Sequence, residues 1–239
     1  MQMTLWNAAC TGNTANCIYP NKVVVNDAKE METAVAQDHV SATYTGNRRS
    51  NDNFIESDVI PMDIDNDHSD DPADWITEEK MEELFDSIDY VLAPSRHHML
   101  AKDGKSERPR YHAYFPIEKC MDAAQYAAMK VAIQNAYPFF DDNALDAARF
   151  LFGATVDEIV WHEGWMSITD DIEVEEMEAE PDDGDFDDGV VSGPILEGSR
   201  NKTLSRFAGK VLKRYGECDK AHEVFLEQAA KCDPPLGDA

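Results

Sequence analysis

The stretch Ser57-Asp58-Val59-Ile60-Pro61-Met62-Asp63-Ile64-Asp65-Asn66-Asp67 decides the fold, because in it an apolar run ends in two carboxylates one residue apart. Read as a β-strand, it alternates faces with period 2, so Asp63 and Asp65 point the same way and Ile64 turns into a core. Two carboxylates roughly 4 to 5 Å apart repel by about 1 kcal/mol in water and about 4 kcal/mol at an effective dielectric of 20. A partly buried pair therefore calls for a cation. Oxygen donors with open coordination positions suit Mg²⁺ or Mn²⁺. The competing reading is a solvated strand end in an acidic chain, since Asp-x-Asp is a short pattern. A calcium loop through Asp63, Asp65 and Asp67 fails on detail: His68 stands where the turn glycine belongs, Asp74 where a bidentate Glu belongs, and Val59-Ile60-Pro61-Met62 reads as strand.

Outward from this strand the chain alternates helix and strand patterns. Upstream, Lys22-Val23-Val24-Val25-Asn26 reads as a short strand, and Asp27 caps a helix through Glu30, Met31, Ala34 and Val35. Residues 1–19 carry little periodicity, and residues 41–54, with Arg48 and Arg49, read as a loop. Downstream, Thr77 caps a helix whose Met81, Leu84, Phe85 and Ile88 recur at helical spacing, and Tyr90-Val91-Leu92-Ala93 reads as a strand. Residues 95–109 form a polar loop holding Arg96, His97, His98, Lys102, Lys105 and Arg108; basic loops in an acidic protein suit phosphate. A strand from Arg110 ends at Pro116 and puts Arg110, His112 and Tyr114 on one face. A helix over residues 122–136 follows, then residues 139–153, where acids and Arg149 sit among apolar side chains. Ile159-Val160-Trp161-His162 adds an edge strand.

Composition bounds the function classes. The 239 residues, 43% hydrophobic, suffice for one substantial domain and a small one. A net charge of -27 argues against tight autonomous DNA binding. Its distribution weakens that objection: residues 170–188 carry many acids and no Lys or Arg, whereas Arg200, Lys202, Arg206, Lys210, Lys213 and Arg214 face no acid between residues 198 and 215. The acidic stretch is expected to be a solvated, self-repelling linker, or else a DNA mimic that competes for that basic segment. Two amphipathic helices are expected after it, one through Leu204, Phe207, Ala208, Val211 and Leu212 and one through Ala221, Val224, Phe225 and Ala229. Five cysteines without CxxC pairing indicate neither a disulfide framework nor a zinc knuckle. With no leader pattern and no apolar run of about 20 residues, a soluble cytoplasmic protein without membrane attachment is expected.

Three passages, Met62-Asp63-Ile64-Asp65-Asn66, Arg108-Pro109-Arg110-Tyr111-His112, and Phe140-Asp141 with Asp146-Ala147-Ala148-Arg149-Phe150, together resemble the archaeo-eukaryotic primase superfamily, the prim-pol fold. The tail from Glu197-Gly198-Ser199-Arg200-Asn201 to Cys232-Asp233-Pro234-Pro235-Leu236 looks like the helical module that follows the catalytic domain in phage and plasmid primases. The similarity covers residues 40–165 and 196–236. It implies an α/β (α+β) chain: an RRM-like prim-pol catalytic domain over residues 1–168, an acidic linker over 169–195, and a small all-α module over 196–239.

The resemblance also implies roles. Asp63 and Asp65 match the family's metal-binding pair, and His112 its motif histidine beside the nucleotide's phosphates. Arg110 stands where the family has a small residue, a departure that adds a phosphate contact or changes packing. Asp141 fits the third acid best, with Asp146 as its rival, and Arg149 would face the triphosphate. The bare residues allow less, since His112 could be a packed residue and Arg149 could pair with Asp146 at i,i+3 spacing. The implied function is a DNA primase or primase-polymerase of a mobile element, a nucleotidyltransferase using Mg²⁺ or Mn²⁺, NTPs or dNTPs and a single-stranded DNA template. Arg200, Lys202, Arg206 and Lys210 would meet DNA or a partner such as a separately encoded replicative helicase. A non-catalytic replication-initiation or helicase-recruiting factor and a metal-dependent nuclease are the alternatives.

Overall fold

The computed structural model describes residues 1–156, 158–172, 195–196, 204, 207–208, 211 and 219–233. The chain divides into two compact units, Met1–Met177 and Glu178–Ala239. The first is built on β5 (Phe54–Ile64), the strand expected to end in the carboxylates, paired antiparallel with β7 (Tyr111–Cys120). Pairing with β4 (Ala42–Tyr44), β6 (Tyr90–Pro94) and β9 (Val160–His162) completes a five-stranded sheet in the order β4-β5-β7-β6-β9. Both β5 and β6 run antiparallel to β7, so α2 (Glu78–Leu84) carries the chain from one to the other across the place β7 fills. The result is a split β-α-β unit.

The central strands bury both faces, and alternation sorts them. Ile60, Met62 and Ile64, with Tyr90, Leu92, Ala113 and Phe115, face one way and pack against Met81 and Phe85 of the α2 region and Tyr126, Met129 and Ile133 of α3 (Ala123–Ala136). Each such side chain removed from water contributes about 1.5–3 kcal/mol. Val59, Val91, Ala93 and Tyr114 face the other way, against Met3, Leu5, Val25 and Leu151. These last belong to a second sheet of β1 (Met3–Asn7), β2 (Asn21–Val25), β3 (His39–Val40) and β8 (Phe150–Leu151), in the order β2-β1-β3-β8. Its helix α1 (Ala28–Val35) starts at the expected cap, where the Asp27 side chain accepts from Glu30 N–H. Asp63 and His112 lie on the face that meets this second sheet.

Two expectations change. Residues 41–54 were expected as a loop, yet Ala42 and Tyr44 are buried and Ala42–Tyr44 pairs with β5, an alternation too short to stand out in sequence. β7 does not end at Pro116; a register shift between Ser57 and Val59 accommodates a residue without an N–H, and the strand runs on to Cys120. After β9, α4 (Ile168–Asp171) is opened by a Ser167 capping box, and Ile168 and Ile172 join the core of the first unit.

In the second unit, helix α5 (Asp219–Ala229) accompanies a parallel pairing of β10 (Ile195–Leu196) with β11 (Cys232–Asp233), so helix alone does not describe it. The acidic stretch at 173–194 and the basic side chains Arg200, Lys202, Arg206 and Lys210 lie outside the described residues. Cys10, Cys17, Cys120 and Cys232 are free thiols. Among the described residues no helix is long and apolar enough to cross a membrane.

One buried histidine ties the two sheets. His39 of β3 is wholly buried, its Nδ1 2.8 Å from Gln37 O and its Nε2 2.7 Å from the Tyr114 hydroxyl of β7. The neutral tautomer that donates from Nδ1 and accepts from tyrosine satisfies both contacts. Burial pushes His39 down to about 4. The folded state then binds fewer protons than the unfolded one between that value and the ordinary 6.5, so this stability is complete above pH 6.5 and lost as pH falls toward 4. A loss of about 3 kcal/mol is expected over that window. Urea unfolding at pH 7.5 and 4.5 should show it, and His39→Gln should flatten the slope; an unaltered slope would contradict the assignment.

Candidate functional site

The strands bring the separated motifs together. Asp63 and His112 are register partners across β5 and β7, with His112 Nε2 3.6 Å from Asp63 Oδ1. Arg149 arrives from the second sheet, one residue before β8, and sets its Nη2 3.6 Å from Asp63 Oδ2. Its approach depends on a close chain crossing just after β8. There Gly153 N–H donates to the buried Asp38 carboxylate, and a Cβ at position 153 would fall 2.4 Å from the Gln37 backbone carbon. Asp63, His112 and Arg149 thus stand together, although 86 positions separate Asp63 from Arg149. Asp63 and His112 are only 14% and 13% exposed, whereas Arg149 at 38% reaches solvent.

Burial holds His112 below its ordinary value, against the opposing pull of Asp63 and Asp65. Its imidazole is therefore neutral near pH 7. On α3, Lys130 is fully buried beside this group and is pushed down to about 8 by burial, with Asp63 and Asp146 opposing the shift; its Nζ lies 3.4 Å from Asp146 O. Lys130 was missed, although helical spacing puts it among Tyr126, Met129 and Ile133, in the apolar stripe where lysine is out of place.

Asp65 lies just past the end of β5 and is already countered by cations: Lys102 Nζ stands 3.1 Å from Oδ2 and Arg110 Nε 3.7 Å from Oδ1. Arg110, for which a phosphate contact or a change of packing was expected, is wholly buried. Its guanidinium donates to Leu100 O at 2.8 Å and His97 O at 3.3 Å and pairs with Asp67 at 3.4 Å, so its charge serves the carboxylates of its own chain. Arg108 is buried alike, on Asn66 O, Ser69 O and Asp70. Both arginines pin the basic loop against the end of β5. Arg96 stacks 3.5 Å over Phe152.

Asp141 and Asp146, the two candidates for a third acid, are held differently. Asp141 N–H donates to Asp63 O at 2.9 Å, which fixes its backbone beside the strand, and its carboxylate Oδ1 accepts from Asn143 N and Nδ2. Asp141 and Asp65 line one cleft of about 360 Å³, with Asp67, Gln134, Phe140 and Asn143. Asp146 instead accepts from Ala148 N–H at 2.7 Å. Among the described residues no three His, Cys, Asp or Glu side chains stand close enough together to hold an ion as they are placed.

No protein-family model matches the chain, and no curated protein matches it. Among solved structures it is similar to the AEP domain (PP-N190) of the cyanophage S-2L primase-polymerase (PrimPol), at 14% sequence identity and a TM-score of 0.38. The match covers 68% of this chain and 82% of that one.

Proposed function

We propose that the protein is a DNA primase or primase-polymerase of a mobile element, joining nucleotides on a single-stranded DNA template. The observation that carries this reading is the meeting of Asp63, His112 and Arg149, from two sheets and three distant passages, with Asp65 two residues along. A carboxylate against both an imidazole and a guanidinium on a partly buried face suits a metal-bound polyphosphate: the acids take the cation, and the nitrogen donors take the anion.

The donor set fits Mg²⁺ or Mn²⁺. Asp63 in β5 and Asp65 just past its end are hard oxygen donors two residues apart, and Asp141 is tied to the strand by its backbone bond to Asp63 O. A divalent ion held by Asp63 and Asp65 would supply charge neutralisation to a polyphosphate and would lower the pKa of an attacking hydroxyl. The chain's own residues do the rest. Neutral His112 has Nε2 to offer a phosphate oxygen, and Arg149, whose side chain is partly exposed, holds the nucleotide's tail. Arg110 and Arg108 contribute by keeping the 95–109 loop packed on the acids. We assign Arg200, Lys202, Arg206 and Lys210 to DNA or to a separately encoded helicase on their charge alone.

Incubation with single-stranded DNA, Mn²⁺ or Mg²⁺ and labelled nucleotides is expected to yield labelled oligomers. Template shortening without extension would identify a nuclease instead. If neither occurred while a replicative helicase bound, the chain would be a recruiting factor.

A further inference from the structure

We propose that Lys102 is an exchangeable counter-ion, sitting on Asp65 while the site is empty and moving to the polyphosphate when metal and nucleotide arrive. The inference rests on the reading of Asp65 as a metal ligand. Asp65 has two cations of opposite character. Arg110 is immobile, fully buried and fastened to two backbone carbonyls and Asp67. Lys102 is 29% exposed at the side chain and sits at the tip of a tight turn, where Lys102 and Lys105 exchange backbone hydrogen bonds across Asp103 and Gly104, both at positive φ. The base of this loop is held by Arg108, Arg110 and the Met99 N–H to Arg108 O bond, whereas a lysine's four-carbon stem is flexible and can swing without disturbing that base.

Charge decides the direction. With Arg110 and Lys102 both on it, Asp65 has no negative charge left to offer a dication, and an ammonium 3.1 Å from Oδ2 repels one directly. Without Lys102, Asp65 keeps only Arg110, at the longer 3.7 Å. A polyphosphate bound beside Asp65 attracts the lysine away as it brings the metal in, so the two ligands become mutually helpful: the anion removes the cation that blocks the metal. The lysine keeps the acids paired, and the strand end folded, before substrate arrives.

The test compares the full-length protein with Lys102→Gln, Lys102→Arg and Asp65→Asn in two binding titrations at low salt. Mn²⁺ alone, followed by the electron paramagnetic resonance of the free ion, is expected to bind Lys102→Gln about fivefold more tightly than wild type, the factor withheld by one partly exposed ion pair. Inorganic tripolyphosphate in the presence of EDTA is expected to bind the same variant about fivefold more weakly. Lys102→Arg should restore both values toward wild type, and raising the salt should shrink both differences. A lysine that merely braces the loop would lower both affinities or neither. If Mn²⁺ binds wild type and is lost in Asp65→Asn while Lys102→Gln equals wild type, the exchange is wrong and the metal reading stands. If Mn²⁺ binds no better to wild type than to Asp65→Asn, both are overturned.

Discussion

Replacing Asp63 with alanine is expected to cripple template-directed nucleotide addition, lowering the rate about a hundred- to a thousandfold, the size lost when one group that stabilises developing charge is removed. Asp63 is the point where the site closes: one oxygen lies by His112, the other by Arg149, and its backbone carbonyl positions Asp141. Only the first two contacts depend on the side chain, so the substitution leaves the Asp141 link and the β5–β7 pairing untouched. Folding should survive, with a melting temperature near that of wild type. Asp63→Asn keeps the shape and removes the charge, and is expected to be as inactive as alanine if the carboxylate holds a cation. Primer-extension assays on a labelled template measure both. Activity within tenfold of wild type in either variant would remove the site from the mechanism.

Arg110→Ala is expected to destabilise the first unit by about 3 kcal/mol, measured as a lower urea midpoint. That lies at the low end for breaking a buried charge pair, because Asp65 and Asp67 keep access to water at 30% and 44% side-chain exposure. The loss has two sources. The Leu100 and His97 carbonyls lose their donor, and the two carboxylates lose a fixed cation between them. Arg110→Lys should recover part of it, since one ammonium cannot span two carbonyls and two carboxylates. A midpoint unchanged to within about 0.5 kcal/mol, the ordinary range for surface positions, would show that the 95–109 loop is held by other contacts.

Much of the first unit was legible in the sequence because its signals are local. Asp27, Thr77 and Asp122 each open a helix, and all three cap as their residue types dictate. The period-2 pattern of β5 sends Ile64 to the face packed on the helices and Asp63 to the opposite face, as alternation requires. What could not be read were the short strands β1, β3, β4 and β8, two to five residues long. Such segments carry too few residues for a period to emerge, and they become strands only because a neighbour elsewhere in the chain supplies their hydrogen bonds. The second sheet was therefore missed, and with it the reason Arg149 meets Asp63.

The roles of the cations divide the same way. By residue type alone Arg108, Arg110, Arg149, Lys102 and Lys130 are five equivalent positive charges near three acids. The fold separates them by burial and reach. Arg108 and Arg110 are enclosed and bonded to backbone oxygens, Lys130 is enclosed on α3, and the Arg149 and Lys102 side chains are partly exposed. The sequence by itself determined which side of β5 carries the acids, since side-chain direction follows from the backbone's two-residue repeat. Only the tertiary structure decided which cation stands on which acid, because desolvation and distance, not residue identity, set the strength of each charge pair.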